Sequence, residues 1–564
     1  MKAIINPFLT TATACLCFFL GCEKKNIPFN KSLDISGGWN YEKYLDVAEN
    51  CANTLLERGI DNFGRVETPI FLSNIQINGR QNAREKSHDS EWFKANLYDD
   101  FSTLNAFYKL SNITQNSKYR LAADNYISYY LNHLVNQKTG LIAYGKHIYY
   151  NAYTDVLENN IHELGDGLPL LNEMWRISPN IMRAYTDAIF AAHYQKRLPF
   201  EFHQSASIDS GFIVSNEMRS SIKDAALFIN IFLYGFLKTH ETKYLTWARN
   251  TILLFERKKN PETRLVPDIL QEPGNGEARL LPLAALYLIR ASEILRNDLL
   301  NNIGLEYLKK FTQFAYNAEN QMFRNSVQIK KGVPTNNEYQ TVWSGDGMAI
   351  FSGRACIQAY VFSGDKVFLD RALKYASFIL NSKTCPDAPP RNSGMAIRFF
   401  LEMYQATNIN HFLNEARKLA QQAIETYIEN GLIKMCPEVS QYRASSGAGE
   451  LLLAIVNLYE IESQIDFHWS APQMVPGGIR EIPVNLKLNT LLPVSVGYVL
   501  GIAPPETLNF SDNIVKSLKF TIPVADTSYR GNLYYYFITP KAQLAPMNGQ
   551  VSIVSPEIGA EKNN

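Results

Sequence analysis

Tyr244-Leu245-Thr246-Trp247-Ala248, directly behind the polar turn Lys238-Thr239-His240-Glu241, is the stretch on which the fold reading turns. An aromatic residue, an aliphatic neighbour and a small residue one helical turn later share one helix face, and the turn before them stops the preceding helix. The pattern returns as Tyr119-Arg120-Leu121-Ala122, Phe368-Leu369-Asp370-Arg371-Ala372 and Phe412-Leu413-Asn414-Glu415-Ala416. Two of these also follow a polar turn, Ser111-Asn112-Ile113-Thr114 and Ser363-Gly364-Asp365. The spacing predicts repeated helix starts, each the second arm of a hairpin.

The helices end alike as well. Asn136-Gln137-Lys138-Thr139-Gly140-Leu141-Ile142, Asn260-Pro261-Glu262-Thr263-Arg264-Leu265-Val266, Asn317-Ala318-Glu319-Asn320-Gln321-Met322-Phe323 and Glu429-Asn430-Gly431-Leu432-Ile433 are polar turns running into short apolar stretches. Hairpins at irregular intervals with long loops on one side indicate an open solenoid or a closed toroid. Loops of very unequal length favour the toroid, of about six hairpins. Past Asp466 the texture becomes β-rich, in segments 482–488, 494–500, 518–524 and 533–538 separated by Pro, Gly and Asn turns. The expected fold class is mainly α, an α/α toroid over 39–465 followed by a small C-terminal β domain over 466–564. The β part holds no His after His468 and no evident acid pair, which assigns it packing or glycan contact.

Composition excludes several partners. Lys+Arg 55 against Asp+Glu 54 leaves a net charge of +1, so no global field attracts nucleic acid or anionic lipid, and any anionic ligand needs a local site. Aromatics at 12% suffice for a large core and for sugar-stacking platforms. At the start, Phe8, Leu9, Ala12, Ala14, Leu16, Phe18, Phe19 and Leu20 run into Gly21-Cys22-Glu23-Lys24-Lys25. This run is too short to span ~30 Å of hydrocarbon. A small residue before a cysteine at its end is what a lipoprotein signal peptidase requires. Residues 1–21 therefore read as a signal peptide, Cys22 as the lipidated first residue, and 22–38 as a linker. The expected location is a bacterial membrane, on the periplasmic or cell-surface side and at the outer membrane, with the lipid as the sole membrane contact. Cys51, Cys356, Cys385 and Cys436 are widely spaced, with no CxxC pair, and read as buried thiols with at most one bridge.

Three histidine-bearing loops fall close together: Tyr144-Gly145-Lys146-His147, Asn160-Ile161-His162-Glu163-Leu164-Gly165-Asp166-Gly167 and Glu201-Phe202-His203-Gln204. Successive loops on one face of a hairpin array converge on its axis, so His147, His162 and His203 can surround one ligand. His193, in helical surroundings, reads as a core or capping residue. No HxH or HExxH spacing fixes two ligands on one element, so no metal and no cofactor is expected. Glycosidic hydrolysis needs a proton donor and a second carboxylate. Glu163 is the candidate acid. Asp99 or Asp100, in Asn96-Leu97-Tyr98-Asp99-Asp100, is its candidate partner, with Asp209 and Asp346 as further options, although Asp at a helix start also serves as a cap. A β-eliminating lyase fits the same stretches, because it neutralises a uronate carboxylate, removes the neighbouring proton and protonates the leaving oxygen without an acid pair. Asn96, His147, His203, Tyr339, Tyr442 and Arg443 could supply that set, with Tyr144 and Trp343 as sugar contacts.

The hairpin region, with Tyr-Gly-Lys-His at 144–147, His-Glu at 162–163, Pro-Leu-Leu-Asn-Glu-Met-Trp at 169–175 and Phe-His at 202–203, resembles the α/α-toroid, six-hairpin carbohydrate-active enzymes of polysaccharide-degrading bacteria. The resemblance spans about 400 residues. It implies a lipid-anchored enzyme acting on oligo- or polysaccharide containing uronic acid, in the first place a β-glucuronidase-type hydrolase with Glu163 as acid, and as the alternative a polysaccharide lyase. A glycan-binding lipoprotein without catalysis is the third reading. One departure stands out: Glu201-Phe202 occupies the place where Asn-Arg would precede the third histidine, which removes a uronate-clamping arginine there.

If Cys22 carries the lipid, Cys22→Ser abolishes labelling by a radioactive or clickable fatty acid and moves the protein to the soluble fraction. Unchanged membrane association of that variant would contradict the anchor.

Overall fold

Two kinds of helix alternate along the chain, and their sequences say which side of a wall each occupies. From Ile222 to Leu233 every residue is buried, the pattern of a helix enclosed all round. Between Asn410 and Tyr427 only Phe412, Leu413, Ala416, Ala420, Ala423 and Tyr427 are buried, the single stripe of a helix with one wet face. The computed structural model describes residues 42–79, 90–194, 200–215, 218–295, 298–383 and 388–463, and eight strands between His468 and Val554.

Among the described residues there are fourteen helices. The first seven are α1 (Glu42–Arg58), α2 (Leu97–Thr114), α3 (Ser117–His133), α4 (Leu171–Ile177), α5 (Pro179–His193), α6 (Ile222–Thr239) and α7 (Thr242–Glu256). Then come α8 (Leu281–Leu295), α9 (Asp298–Ala315), α10 (Met348–Ser363), α11 (Lys366–Asn381), α12 (Pro390–Thr407), α13 (Asn410–Tyr427) and α14 (Ala448–Glu462). The even-numbered helices form the inner wall. α6 packs on α8, α8 on α10, α10 on α12, α12 on α14 and α14 on α2, while the two-turn α4 fills the remaining sector against α6 and α3. Each inner helix is backed by the outer helix that follows it, and α14 is backed by α1.

The result is a closed α/α toroid. It has seven inner–outer pairs where about six were expected. One pair joins the two ends of the chain and another contains the abbreviated α4, and neither shows as a hairpin in a linear reading.

The short inner-to-outer turns are built alike. Gln115, His240, Gly364 and Asn408 all take left-handed backbone at the end of an inner helix, with φ of 55°, 61°, 69° and 56°. Asn116 and Asp365 then cap α3 and α11 through their side chains. The repeated aromatics Tyr119, Tyr244, Phe368 and Phe412 are 0–5% exposed, pressed inward beside Ala123, Ala248, Ala372 and Ala416. In the first repeat the buried small residue is Ala123, four positions on, and not Ala122.

The long outer-to-inner loops all emerge on the opposite face, at the N-termini of the inner helices. Their first turns repeat: Asn136 and Asn260 accept from backbone amides two and three residues ahead. Thr139 and Thr263 then donate to the carbonyls of Ile208 and Ile329, at 2.7 and 2.6 Å, tying each loop to the next one round the ring.

The β-rich tail appears where the alternation placed it. Its strands are β1 (His468–Ser470), β2 (Met474–Pro476), β3 (Glu481–Lys487), β4 (Val494–Leu500), β5 (Glu506–Phe510), β6 (Leu518–Pro523), β7 (Gly531–Ile538) and β8 (Gln543–Val554). They form a three-stranded sheet of order β1-β3-β6 and a five-stranded sheet of order β2-β8-β7-β4-β5. Cys51 and Cys356 are buried free thiols and Cys436 is a half-buried one, whereas Cys22 and Cys385 lie outside the described residues. No helix among the described residues is long and apolar enough to cross a membrane.

Candidate functional site

The loops entering α4, α6 and α8 enclose a cavity of about 680 Å³ on the long-loop face. That is within the usual range for a ligand site. Lys146, Lys223 and Arg279 gather about Asp166 as a basic wall, Arg219 adds a fourth cation, and Asp268, Glu272 and Glu277 line the cavity on a segment bonded to Ser220 and Ile222. His147 and Glu163 complete the rim beside Gln204 and Asp224.

Local backbone geometry explains the rim. Gly145 has φ of +139°, and a Cβ there would lie 2.7 Å from Glu163 Cγ, so only glycine lets the Tyr144–His147 loop lie against Glu163. The Glu163 amide donates to the Tyr144 carbonyl at 3.1 Å, and Glu163 Oε1 accepts from the Lys146 amide at 3.2 Å. His147 Nε2 stands 3.8 Å from Glu163 Oε1, with 67% of its side chain in solvent.

Asp166 organises the basic wall. Its carboxylate accepts from Lys146 Nζ at 2.7 Å and from Lys223 Nζ at 3.0 Å. Burial alone would raise its pKa, but Lys223 and Lys146, aided by Arg391, outweigh that and hold it well below the ordinary carboxylate range. Burial likewise works against charged Lys223, and the carboxylates of Asp224 and Asp166 reverse the balance, so the ammonium persists. Gly165, at φ +61°, turns the chain so tightly against Tyr98 that a Cβ would meet the ring at 2.5 Å. The Tyr98 hydroxyl accepts from the Asp166 amide at 3.1 Å and fixes that turn. Beside Ile222, burial and then the Glu277 charge push the Asp268 carboxyl well above its usual range.

Of the residues singled out from sequence, His147 and Glu163 line this cavity. Several others are structural, each for a visible reason. His162 is wholly buried. His193 Nδ1 donates to the His203 carbonyl at 2.8 Å, so its Nε2 accepts from His162 Nδ1 at 2.8 Å, and His162 Nε2 accepts from the Tyr185 hydroxyl at 3.0 Å. His203 is 7% exposed against the Ser205 backbone and is not part of the cavity lining.

Asn96 is the N-cap of α2, accepting from the Tyr98 amide, and its Nδ2 donates to the Gly145 carbonyl at 2.9 Å. It therefore holds the His147 loop and does not face a ligand. Tyr144 is buried with its hydroxyl on the Gly167 carbonyl at 3.2 Å. Asp100 is fully buried beneath Tyr126, whose hydroxyl donates to it at 2.9 Å. Trp343 is 6% exposed, with its indole N–H on the Ser382 carbonyl, which leaves no face for a sugar. Tyr442 is buried between α1 and α14.

Tyr339 lies outside the cavity, its ring under the Arg324 guanidinium at 4.1 Å and its hydroxyl bonded to Asn320. Arg443 donates to Asn74 at 3.1 Å on a strand pairing the first long loop with the last. Asp99 is partly exposed, and burial raises its carboxyl to about 7 against the opposing charges of Lys94, Lys146, Arg391 and Arg443. Asp209 accepts from Asn160 at the surface, away from the cavity.

The basic wall was missed in the sequence. Lys146, Arg219 and Arg279 lie on three loops and Lys223 on the first turn of α6, and they meet only when the ring closes. One signal was present: Lys223-Asp224 is a charged pair opening a helix that is apolar through Leu233 apart from Asn230.

A family model described as periplasmic pectate lyase matches residues 68–273, a little over a third of the chain, including Lys146, His147, Glu163, Arg219 and Lys223. No curated protein matches the sequence significantly. Among solved structures, a family 76 glycoside hydrolase (mannosidase) from Bacteroides thetaiotaomicron overlaps 74% of this chain and 99% of its own, at 13% identity and a TM-score of 0.44. An α-1,6-mannanase from Salegentibacter sp. HEL1_6 overlaps 74% and 99%, at 12% identity and 0.41. An unsaturated glucuronyl hydrolase specific for heparin overlaps 75% and 97%, at 9% identity and 0.40. These scores are too low to bear on activity.

The buried imidazole pair makes stability depend on pH. Burial brings His193 down to about 4 and, with the His193 charge, takes His162 well below its ordinary value. Below the unfolded value of about 6.5, the unfolded chain binds protons that the native state refuses until pH falls to near 4, so stability is lost through that window. In urea unfolding, His193→Gln should remove on the order of 2 kcal/mol of the acid-side loss between pH 7 and pH 5 relative to the parent protein, whatever the buried carboxyls add to both. The same pH dependence in variant and parent would contradict this.

Proposed function

We propose that this chain is a lipid-anchored polysaccharide lyase that cleaves a uronate-containing polymer by β-elimination. The observation that carries the reading is the convergence of Lys146, Arg219, Lys223 and Arg279 on one cavity of a protein whose net charge is only +1. The family model over 68–273, named for pectate lyase, supports the same substrate class.

Elimination removes the proton at C5, beside the sugar carboxylate. The electron pair forms the C4=C5 double bond and the C4–O bond breaks. The barrier lies in the charge that builds on the carboxylate, and fixed cations in a partly dry cavity act on that charge. Lys223 and Arg279 neutralise the carboxylate. His147 takes the C5 proton, and the Glu163 carboxylate, 3.8 Å away, stabilises the imidazolium that forms. Asp268, whose carboxyl burial and the Glu277 charge push upward, supplies a proton to the departing oxygen. Hydrolysis with Glu163 as acid is the rival, because Glu163 is set in the rim with 14% of its side chain exposed.

The anchor suits this arrangement. α1 is an outer helix, so its N-terminus lies on the short-turn face, opposite the cavity. A lipid on Cys22, which lies outside the described residues, then leaves the cavity directed away from the membrane.

Polygalacturonate incubated with the protein and followed in parallel by reducing ends and by the ultraviolet absorbance of the conjugated uronate decides between the mechanisms. The lyase gives both signals in step, and His147→Ala lowers kcat by about 10²- to 10⁴-fold with little change in KM. New reducing ends without the absorbance would replace elimination by hydrolysis through Glu163. Neither signal on any uronate polymer would overturn the enzymatic reading in favour of glycan capture.

A further inference from the structure

A small recess adjoins the main cavity and shares Arg279 with it. Its other polar groups are Asp166, Asp346 and Arg391, over an apolar floor of Met348 and Phe351. Asp346 stands between the two guanidiniums, 3.4 Å from Arg279 Nε and 3.8 Å from Arg391 Nη1. Both contacts are longer than the roughly 2.7–2.9 Å of a charge-assisted hydrogen bond. Asp166, by contrast, holds Lys146 at 2.7 Å. Arg279 is 48% and Asp346 39% exposed, a setting in which an ion pair contributes about 0–1 kcal/mol.

Gly345 and Gly347 flank Asp346 with φ of 55° and 61°, and nothing lies within 4 Å of the space a Cβ at Gly345 would fill, so the Asp346 side chain stands on an open turn. Arg391 sits in the first turn of α12 with its guanidinium 5.3 Å from the Phe351 ring. Two arginines with a loosely held carboxylate between them form a carboxylate site filled by the protein's own side chain.

We infer that Arg279 and Arg391 are a second uronate subsite, which Asp346 occupies until the carboxylate of a neighbouring sugar displaces it. The inference rests on the polyuronate reading above and deepens it. It makes Asp346 and Arg391 determinants of a preference for polymers charged on successive residues. The chain then runs from the main cavity across Arg279 toward the N-termini of α10 and α12.

The test is calorimetric titration of galacturonate monosaccharide and pentasaccharide into His147→Ala protein, in which turnover is slow. With Asp346→Asn added, the internal competitor is removed without loss of shape, and pentasaccharide affinity rises about 3- to 10-fold while monosaccharide affinity stays level. With Arg391→Ala added, pentasaccharide affinity falls about 10-fold and the monosaccharide is unaffected. Unchanged or weaker pentasaccharide binding by Asp346→Asn, or equal losses on both sugars with Arg391→Ala, overturns the subsite and leaves the polyuronate reading standing. Binding of neither sugar by His147→Ala alone overturns both.

Discussion

Glu450 ties α14 to α2 and α12 where the ring closes. Its carboxylate, on the first turn of α14, accepts from Ser102 of α2 at 2.6 Å and from Arg398 of α12 at 2.7 Å. Burial alone would raise the pKa of Glu450, and Arg398 with Ser102 overcomes that, so the carboxylate stays charged at the seam. The same seam admits no side chain at Gly449, where a Cβ would lie 2.6 Å from the Thr103 amide nitrogen. A buried, fully partnered charge of this kind contributes geometry more than net stability, since separating the partners leaves an uncompensated charge inside. Here the geometry is closure: strand residues Asn74–Gln76 of the first long loop pair with Gln441–Arg443 of the last.

Closure gives the site its character. In a ring, every outer-to-inner loop opens on one face, and residues from loops remote in sequence become neighbours. Three loops and the first turn of α6 bring four cations to one cavity, and like charges at that density need a counterion. Asp166 supplies it, buried between Lys146 and Lys223 and kept ionised by them. The ammonium groups are thereby fixed before any ligand arrives, the preorganisation that lets charge act on a developing anion without first reorganising. The exposed members, Arg219 and Arg279, retain the freedom to follow a polymer.

The fold was legible because hairpin packing imposes local patterns. Tyr244 and Phe368 mark outer-helix starts by pressing on the inner wall, and the segments ending at Lys487 and Leu500 show the alternating sequence of strands. The number of pairs was not legible, because α1 and α14 form one pair across the whole length of the chain. The site was legible only where a short-range constraint reported it, as at Tyr144-Gly145-Lys146-His147 beside Glu163. Histidine type misled at His162 and His203, where imidazoles satisfy one another and the backbone inside the core. Position misled at Asn96, whose cap geometry matters more than its polarity. The cationic wall needs three-dimensional convergence, for which Lys223-Asp224 at the head of an apolar helix was the sole local trace.

The central claim is that this wall recognises a sugar carboxylate in a geometry that exposes C5 to His147. A crystal structure of His147→Ala with a galacturonate oligosaccharide tests it most directly. The account predicts one carboxylate within hydrogen-bonding distance of Lys223 and Arg279, with the adjacent C5–H directed at the vacated imidazole position. An oligosaccharide seated outside the cavity, or bound with its carboxylates toward Asp268 and Glu277, would contradict it.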